Sequence, residues 1–152
     1  MKKINILIIT LLLITACKEK SPPFPYTLGL NSYVAKVLGY DLKKVVEETI
    51  IFLPLEYCPS CITEGLQFVS QQEKQEKTTL VFIGNEETYP DDQPYIQQLK
   101  KRYPYKVDAF NKHHSYACGI NKPLLVQIKD GKIVDYIYLE KDNFEKAKRF
   151  FI

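Results

Sequence analysis

The tightest constraint on this chain is a pair of cysteines three positions apart, in Tyr57-Cys58-Pro59-Ser60-Cys61. The run before it, Thr49-Ile50-Ile51-Phe52-Leu53, is β-branched, aromatic and almost wholly apolar, as expected of a strand covered on both faces. After it, Ile62, Leu66 and Val69 fall at i, i+4 and i+7, the one-sided stripe of an amphipathic helix reaching about Lys74. The pair therefore sits where a strand delivers the chain to a helix N-terminus. Two thiols so placed suit dithiol–disulfide chemistry, and the bare spacing also suits half of a zinc site. The chain has no second CxxC to complete one.

Residues 1–16 read as an export signal. Lys2 and Lys3 form a positive start, Ile4 to Ile14 an apolar run, and Ile14-Thr15-Ala16 ends in small residues before Cys17. The run is too short to cross the roughly 30 Å hydrocarbon core as a helix, which takes about 20 residues. Leu13-Ile14-Thr15-Ala16-Cys17 resembles the bacterial lipobox, which implies cleavage before Cys17 and lipidation of that cysteine. The expected product is anchored in a membrane outside the cytoplasm, facing the periplasm or exterior. The absence of an aspartate at Lys18 resembles export toward the outer membrane where there is one. Residues 17–26, polar and then proline-rich, read as a short tether, and 27–152 as one domain.

Loss of residues 1–16 removes two lysines and no acid, so 21 basic residues become 19 against 18 acidic ones, a net charge of +1. That balance argues against a nucleic-acid partner. With Cys17 lipidated, three of four cysteines remain, one pair and one left over, Cys118. This is no disulfide scaffold.

The remaining pattern orders the elements. Asn31 to Glu48 reads as one or two helices interrupted at Gly39. Thr78 to Ile83 is a second buried strand, Pro94 to Arg102 a helix closed by three basic residues, and Tyr105 to Phe110 a short third strand. Asn111 to Cys118 is a polar loop or helical turn. Leu124 to Lys129 and Ile133 to Leu139 form a hairpin about Asp130-Gly131, and Asp142 with Glu145 reads as a capping box opening a last helix, with Phe144, Ala147 and Phe151 on its inner face.

In this order, Tyr57-Cys58-Pro59-Ser60-Cys61 followed by Lys122-Pro123-Leu124-Leu125-Val126 resembles the thioredoxin-like family, over roughly 49–152. The resemblance implies an α/β, three-layer fold: a central mixed sheet of four to five strands flanked by helices, with an N-terminal helical extension. It makes Pro123 a candidate cis-proline against the cysteine pair. It also implies that substrate backbone pairs beside it at Lys122, whose charge would lie near the Cys58 sulfur, the alternative being a solvated lysine. Tyr57 stands where a tryptophan is common and keeps an aromatic wall. Phe52 stands where many relatives carry a buried acid, which leaves the proton acceptor unidentified. Glu56 is the nearest carboxylate in sequence and reads as a surface group.

The implied activity is thiol–disulfide exchange, more readily as a reductase, by a monomer acting on protein thiols or disulfides and coupled to a membrane redox donor or acceptor. No cofactor is expected. Cys58, at the helix start, is the expected nucleophile and Cys61 the resolving thiol. Cys118, five residues before Pro123, is a candidate third redox thiol, the alternative being a buried apolar residue. A second class of function stays open, a copper or other metal carrier using Cys58, Cys61 and a histidine. His113 and His114, being adjacent, are expected to point apart on a surface loop.

Overall fold

The computed structural model describes residues 23–88 and 90–152. The export signal and Cys17 lie outside them. Five strands form one sheet: β1 (Glu47–Pro54), β2 (Thr78–Ile83), β3 (Tyr105–Asp108), β4 (Leu124–Lys129) and β5 (Lys132–Tyr138), in the order β3-β2-β1-β4-β5. β1, β2 and β3 are mutually parallel, while β4 runs antiparallel to β1, and β5 to β4. The central strands are buried because the chain fed them apolar residues on both faces. Every residue of β2 is buried, and so are the last six of β1.

Alternation along β1 assigns those residues to two cores. Ile51 and Leu53 face α2 (Pro59–Gln71) and α3 (Gln93–Arg102), together with the C-terminal helix α4 (Phe144–Ala147) and the 3-10 turn after it. Ile50 and Phe52 face the other way, onto α1 (Thr27–Lys36) and the loop that carries Cys118 and Ile120. Each such fully buried side chain contributes about 1.5–3 kcal/mol. The result is helices, sheet and helix in three layers, the thioredoxin-like arrangement.

Three expectations shift at the N-terminal side and one at the C-terminal end. The first helix begins at Thr27, before the expected stretch, and ends at Lys36; the rest of that stretch holds only a 3-10 turn, Leu42–Lys44, after Gly39 takes a left-handed φ of 63°. β1 starts two residues earlier than its apolar run, at Glu47. Phe24, inside the expected tether, is buried and packs edge-on against Tyr136 with centroids 4.9 Å apart, so the folded body reaches back at least to that ring. At the far end the capping box is Glu140 with Asn143, not Asp142 with Glu145, and the last helix is a single α-turn flanked by 3-10 turns. Four helical residues cannot hold a long amphipathic stripe; stacking of Phe144 on Phe68 at 4.5 Å holds the segment instead.

The hairpin is as expected. Asp130 and Gly131 both lie in the left-handed region, φ 49° and 72°, as a type I′ turn demands. No helix among the described residues is long and apolar enough to cross a membrane.

Candidate active site

β1 ends at Pro54, which has no N–H to offer, and the Leu55 N–H closes the ladder on the Ile83 carbonyl at 2.7 Å. Glu56 and Tyr57 make the turn. Cys58 is then the N-cap of α2, in extended conformation, with Pro59 at the first helical position where its missing N–H costs nothing. Cys58 and Cys61 are joined as a disulfide with Cα atoms 5.2 Å apart. Cys58 is exposed and Cys61 half-buried.

The Cys58 sulfur accepts the Cys61 N–H at 3.4 Å and lies 3.3 Å from the Ser60 hydroxyl. Those donors, and the positive end of the helix dipole, favour a thiolate at Cys58 once the disulfide opens. Geometry thus separates the pair: a partner can reach one sulfur, and the other closes the ring behind it.

Pro123 is in the ordinary trans isomer, not the cis one that the resemblance implies. There is no cis peptide bond among the described residues, so the general preference of X–Pro bonds for trans, about 0.5–1 kcal/mol, is not overridden here. The ring is buried against α2. A Cβ added at Gly65, one turn beyond Cys61, would meet the Pro123 Cγ at 2.9 Å. Its carbonyl accepts the Leu139 N–H at 2.7 Å, tying the segment to the end of β5.

Lys122 turns its ammonium to Glu140, both about half exposed. Glu56 is exposed, as expected. Its carboxylate accepts the Asn85 N–H at 3.1 Å and the Asn111 side-chain amide, clipping two turns together.

The histidines do not point apart. Asn111 and Ala117 take left-handed conformations, φ 52° and 41°, on either side of the 3-10 turn Lys112–Tyr116, and this curls both imidazoles onto Tyr57. The Tyr57 hydroxyl lies 3.1 Å from His113 Nε2 and 3.3 Å from His114 Nδ1, and the two imidazoles are 4.1 Å apart. His113 is only 2% exposed. Its backbone N–H donates to Asp108 Oδ2 at 3.2 Å, and the Tyr33 hydroxyl donates to the same oxygen at 3.0 Å. His113 Nδ1 sits 4.0 Å from that carboxylate, buried and without a hydrogen-bond partner. Burial, then the neighbouring His114, lower the His113 pKa, against a smaller opposing pull from Asp108 and Glu56; His113 is neutral at pH 7. Burial raises the Tyr57 pKa, with Cys118 and Glu56 adding to it.

Cys118 is 2% exposed, and its thiol donates to the His113 carbonyl at 3.3 Å. Burial pushes its pKa up, so it keeps its proton. That environment suits packing and is the reverse of what a nucleophilic thiol needs. Cys118 lines a hollow of about 190 Å³ together with Tyr57, His113, His114 and Asn121.

Phe52 packs in the core beneath α1, with its ring 6.4 Å from Tyr33. A buried acid does occur, on another strand. Asp108 closes β3 opposite Ile83, which pairs in turn with Pro54, so it lies level with the end of β1 at the carboxyl edge of the parallel strands. Open α/β sheets place ligand sites at that edge. Gly65, Asp108 and the bond from His113 to Tyr57 are what sequence reasoning missed. A glycine inside an amphipathic helix was a signal for the first; nothing in periodicity or spacing pairs Tyr57 with a histidine 56 residues on.

A mixed sheet in this order, with a CxxC disulfide at the start of the first helix after β1 and a buried proline against that helix, defines a thioredoxin-like fold with a dithiol–disulfide site. No family model matches the chain, and no curated protein matches it. Among solved structures it is similar to a peroxiredoxin-like protein from Aquifex aeolicus, with 17% identity over 70% of this chain and 73% of that one, at a TM-score of 0.42. It is similar also to StoA from Bacillus subtilis, with 16% identity, 69% and 81% covered, at a TM-score of 0.42. A thiol:disulfide interchange protein from Bacteroides sp. gives 17% identity, 73% and 76% covered, at a TM-score of 0.42.

Proposed function

We propose that this protein is an extracytoplasmic, lipid-anchored thiol–disulfide oxidoreductase that exchanges the Cys58–Cys61 disulfide with protein substrates, working as a reductase. One observation carries the reading: the disulfide stands at a helix N-terminus with one sulfur exposed and hydrogen-bonded by the Cys61 N–H. In the reduced protein the Cys58 thiolate attacks a substrate disulfide, forming a mixed disulfide and releasing one substrate thiolate. Cys61 then attacks Cys58, closing the ring and releasing the second. A membrane dithiol donor restores the reduced pair. Cys17, through its acyl chains, holds the domain at the membrane.

An insulin reduction assay tests the exchange. Cys58→Ser removes activity, and Cys61→Ser accumulates the mixed disulfide; activity surviving Cys58→Ser overturns the reading. The reductase direction predicts a potential near the about −270 mV of thioredoxins, and a value above about −180 mV reverses it. Cys17→Ala should release the protein from membranes. The copper-carrier alternative gains no support: no three His, Cys, Asp or Glu among the described residues could hold a metal ion, and both imidazoles direct a nitrogen at the Tyr57 hydroxyl.

A further inference from the structure

β3 is an edge strand, and it runs toward the end of the sheet where β1 delivers the chain to the cysteine pair. In its ladder with β2 the carbonyls of Pro104 and Asp108 accept the Leu80 and Gly84 N–H groups, both at 2.9 Å. Alternation along the strand therefore turns the N–H and C=O groups of Tyr105 and Val107 to the other side, where the sheet has no further strand. Tyr105 and Val107 are also exposed, and Phe110, just beyond the strand, is 80% exposed. Single exposed apolar side chains are ordinary, but three of them within the six residues Tyr105 to Phe110, on an open edge, are what native sheets avoid. Resting on the exchange reading above, we propose that this edge docks an extended segment of the protein substrate, of alternating apolar and acidic residues, which adds to β3 as a sixth strand beside the disulfide.

The edge is continuous with the site. Asn111, next to Phe110, gives its side-chain amide to the Glu56 carboxylate, and Glu56 lies two residues before Cys58. A strand added outside β3 stands three strand spacings from β1, about 14 Å, which about four extended residues cross. Main-chain pairing gives affinity with little dependence on sequence, and side chains at alternate positions add selectivity.

Charge selects the occupant. Lys106 lies over the Tyr40 ring, 5.6 Å from its centroid, and Lys112 lies 5.8 Å from that of Phe110. Neither pairs with an acid among the described residues, whereas Lys100, over the Tyr105 ring, is matched by Glu86. The acid of the strand itself, Asp108, is buried and engaged by the Tyr33 hydroxyl. An acidic segment meets two open cations here. A second copy of this chain would bring the same cations with it, which disfavours self-pairing.

The test uses the full-length protein in detergent, reduced, with two probes. Each is a disulfide-linked dimer of a peptide whose cysteine is set about four residues from an extended stretch, alternating valine and glutamate in one and valine and lysine in the other. Wild type should show a KM about 10-fold lower for the glutamate peptide, and Lys106→Glu combined with Lys112→Glu should abolish that preference. Phe110→Ser should raise the KM for the glutamate peptide about 10-fold at unchanged kcat, the size of a lost aromatic anchor. Val107→Pro deletes an outward N–H and should raise the KM for both peptides. Leu28→Ser, which removes an equally bare apolar group from α1, should leave both KM values alone. An unchanged KM in Phe110→Ser, no preference between the peptides in wild type, or a loss shared equally by oxidised glutathione, which is too short to reach β3, overturns the proposal. So does a dimer in analytical ultracentrifugation that Phe110→Ser dissolves, because the edge then belongs to a second copy. A wild-type protein that reduces neither the peptides nor oxidised glutathione sinks the exchange reading itself, so the two failures are distinct.

Discussion

Cys58 follows Tyr57 in the chain and Cys118 lines a hollow with it, and the two residues have the same side chain. Cys58 caps a helix, is exposed, and takes an N–H bond on its sulfur. Cys118 lies in the core beneath α1, donates a hydrogen bond to the His113 carbonyl, and has its pKa pushed up by burial. Reactivity here belongs to the place rather than to the residue. A helix terminus supplies unpaired donors for a thiolate, whereas an apolar core penalises the same charge.

The sharpest way to break this contrast is to remove each sulfur in turn. Cys58→Ser should reduce disulfide exchange to the uncatalysed rate in the insulin assay, while Cys118→Ala should leave the rate unchanged. A Cys118→Ala protein that loses exchange would mean that the buried thiol reaches the reaction after all.

Next in size is the packing that keeps Cys118 covered. Gly29 on α1 meets the loop backbone so closely that a Cβ would come 2.1 Å from the Tyr116 carbonyl oxygen. Gly29→Ala should therefore cost about 3 kcal/mol in denaturant unfolding. It should also make Cys118 accessible to an alkylating reagent that leaves it untouched in the native wild type. Cys118→Ala itself should cost only about 1 kcal/mol. Full modification of Cys118 in the folded wild type would contradict its burial.

The smallest effects are in pH. His113 has a lowered native pKa, so below about 6.5 the unfolded chain binds a proton that the native state does not, and stability should fall as the solution is acidified from pH 7. His113→Gln should flatten that limb. Cys118 has a raised native pKa, so stability should decline as pH rises past the ordinary thiol value of about 8.5, and Cys118→Ala should remove its share. Thermal unfolding across the pH range reads both limbs.

Much of the frame is legible in the sequence. Buried strands declared themselves as short apolar runs, and the helix after Cys61 as a stripe. Asp130-Gly131 announced the hairpin because only a few residue pairs accept two left-handed conformations in succession. The first and last helices were placed less well, since α1 starts before the stretch that pattern suggested and the C-terminal cap falls on Glu140 and Asn143. Both segments are held by aromatic packing across the fold, by Phe24 on Tyr136 and by Phe68 on Phe144, and such contacts leave no local period.

The cysteine pair, its strand-to-helix setting and the proline that follows were determined by the sequence alone, because spacing of three, an apolar run and a helical stripe are local quantities. Tertiary structure decided the rest of the site. It turned Lys122 toward Glu140, buried Cys118, and brought His113, Tyr57 and Asp108 from three separate segments to the carboxyl edge of one sheet. The physical reason is that hydrogen bonds and desolvation depend on where the backbone carries a group in space, and no pattern along the chain encodes that distance.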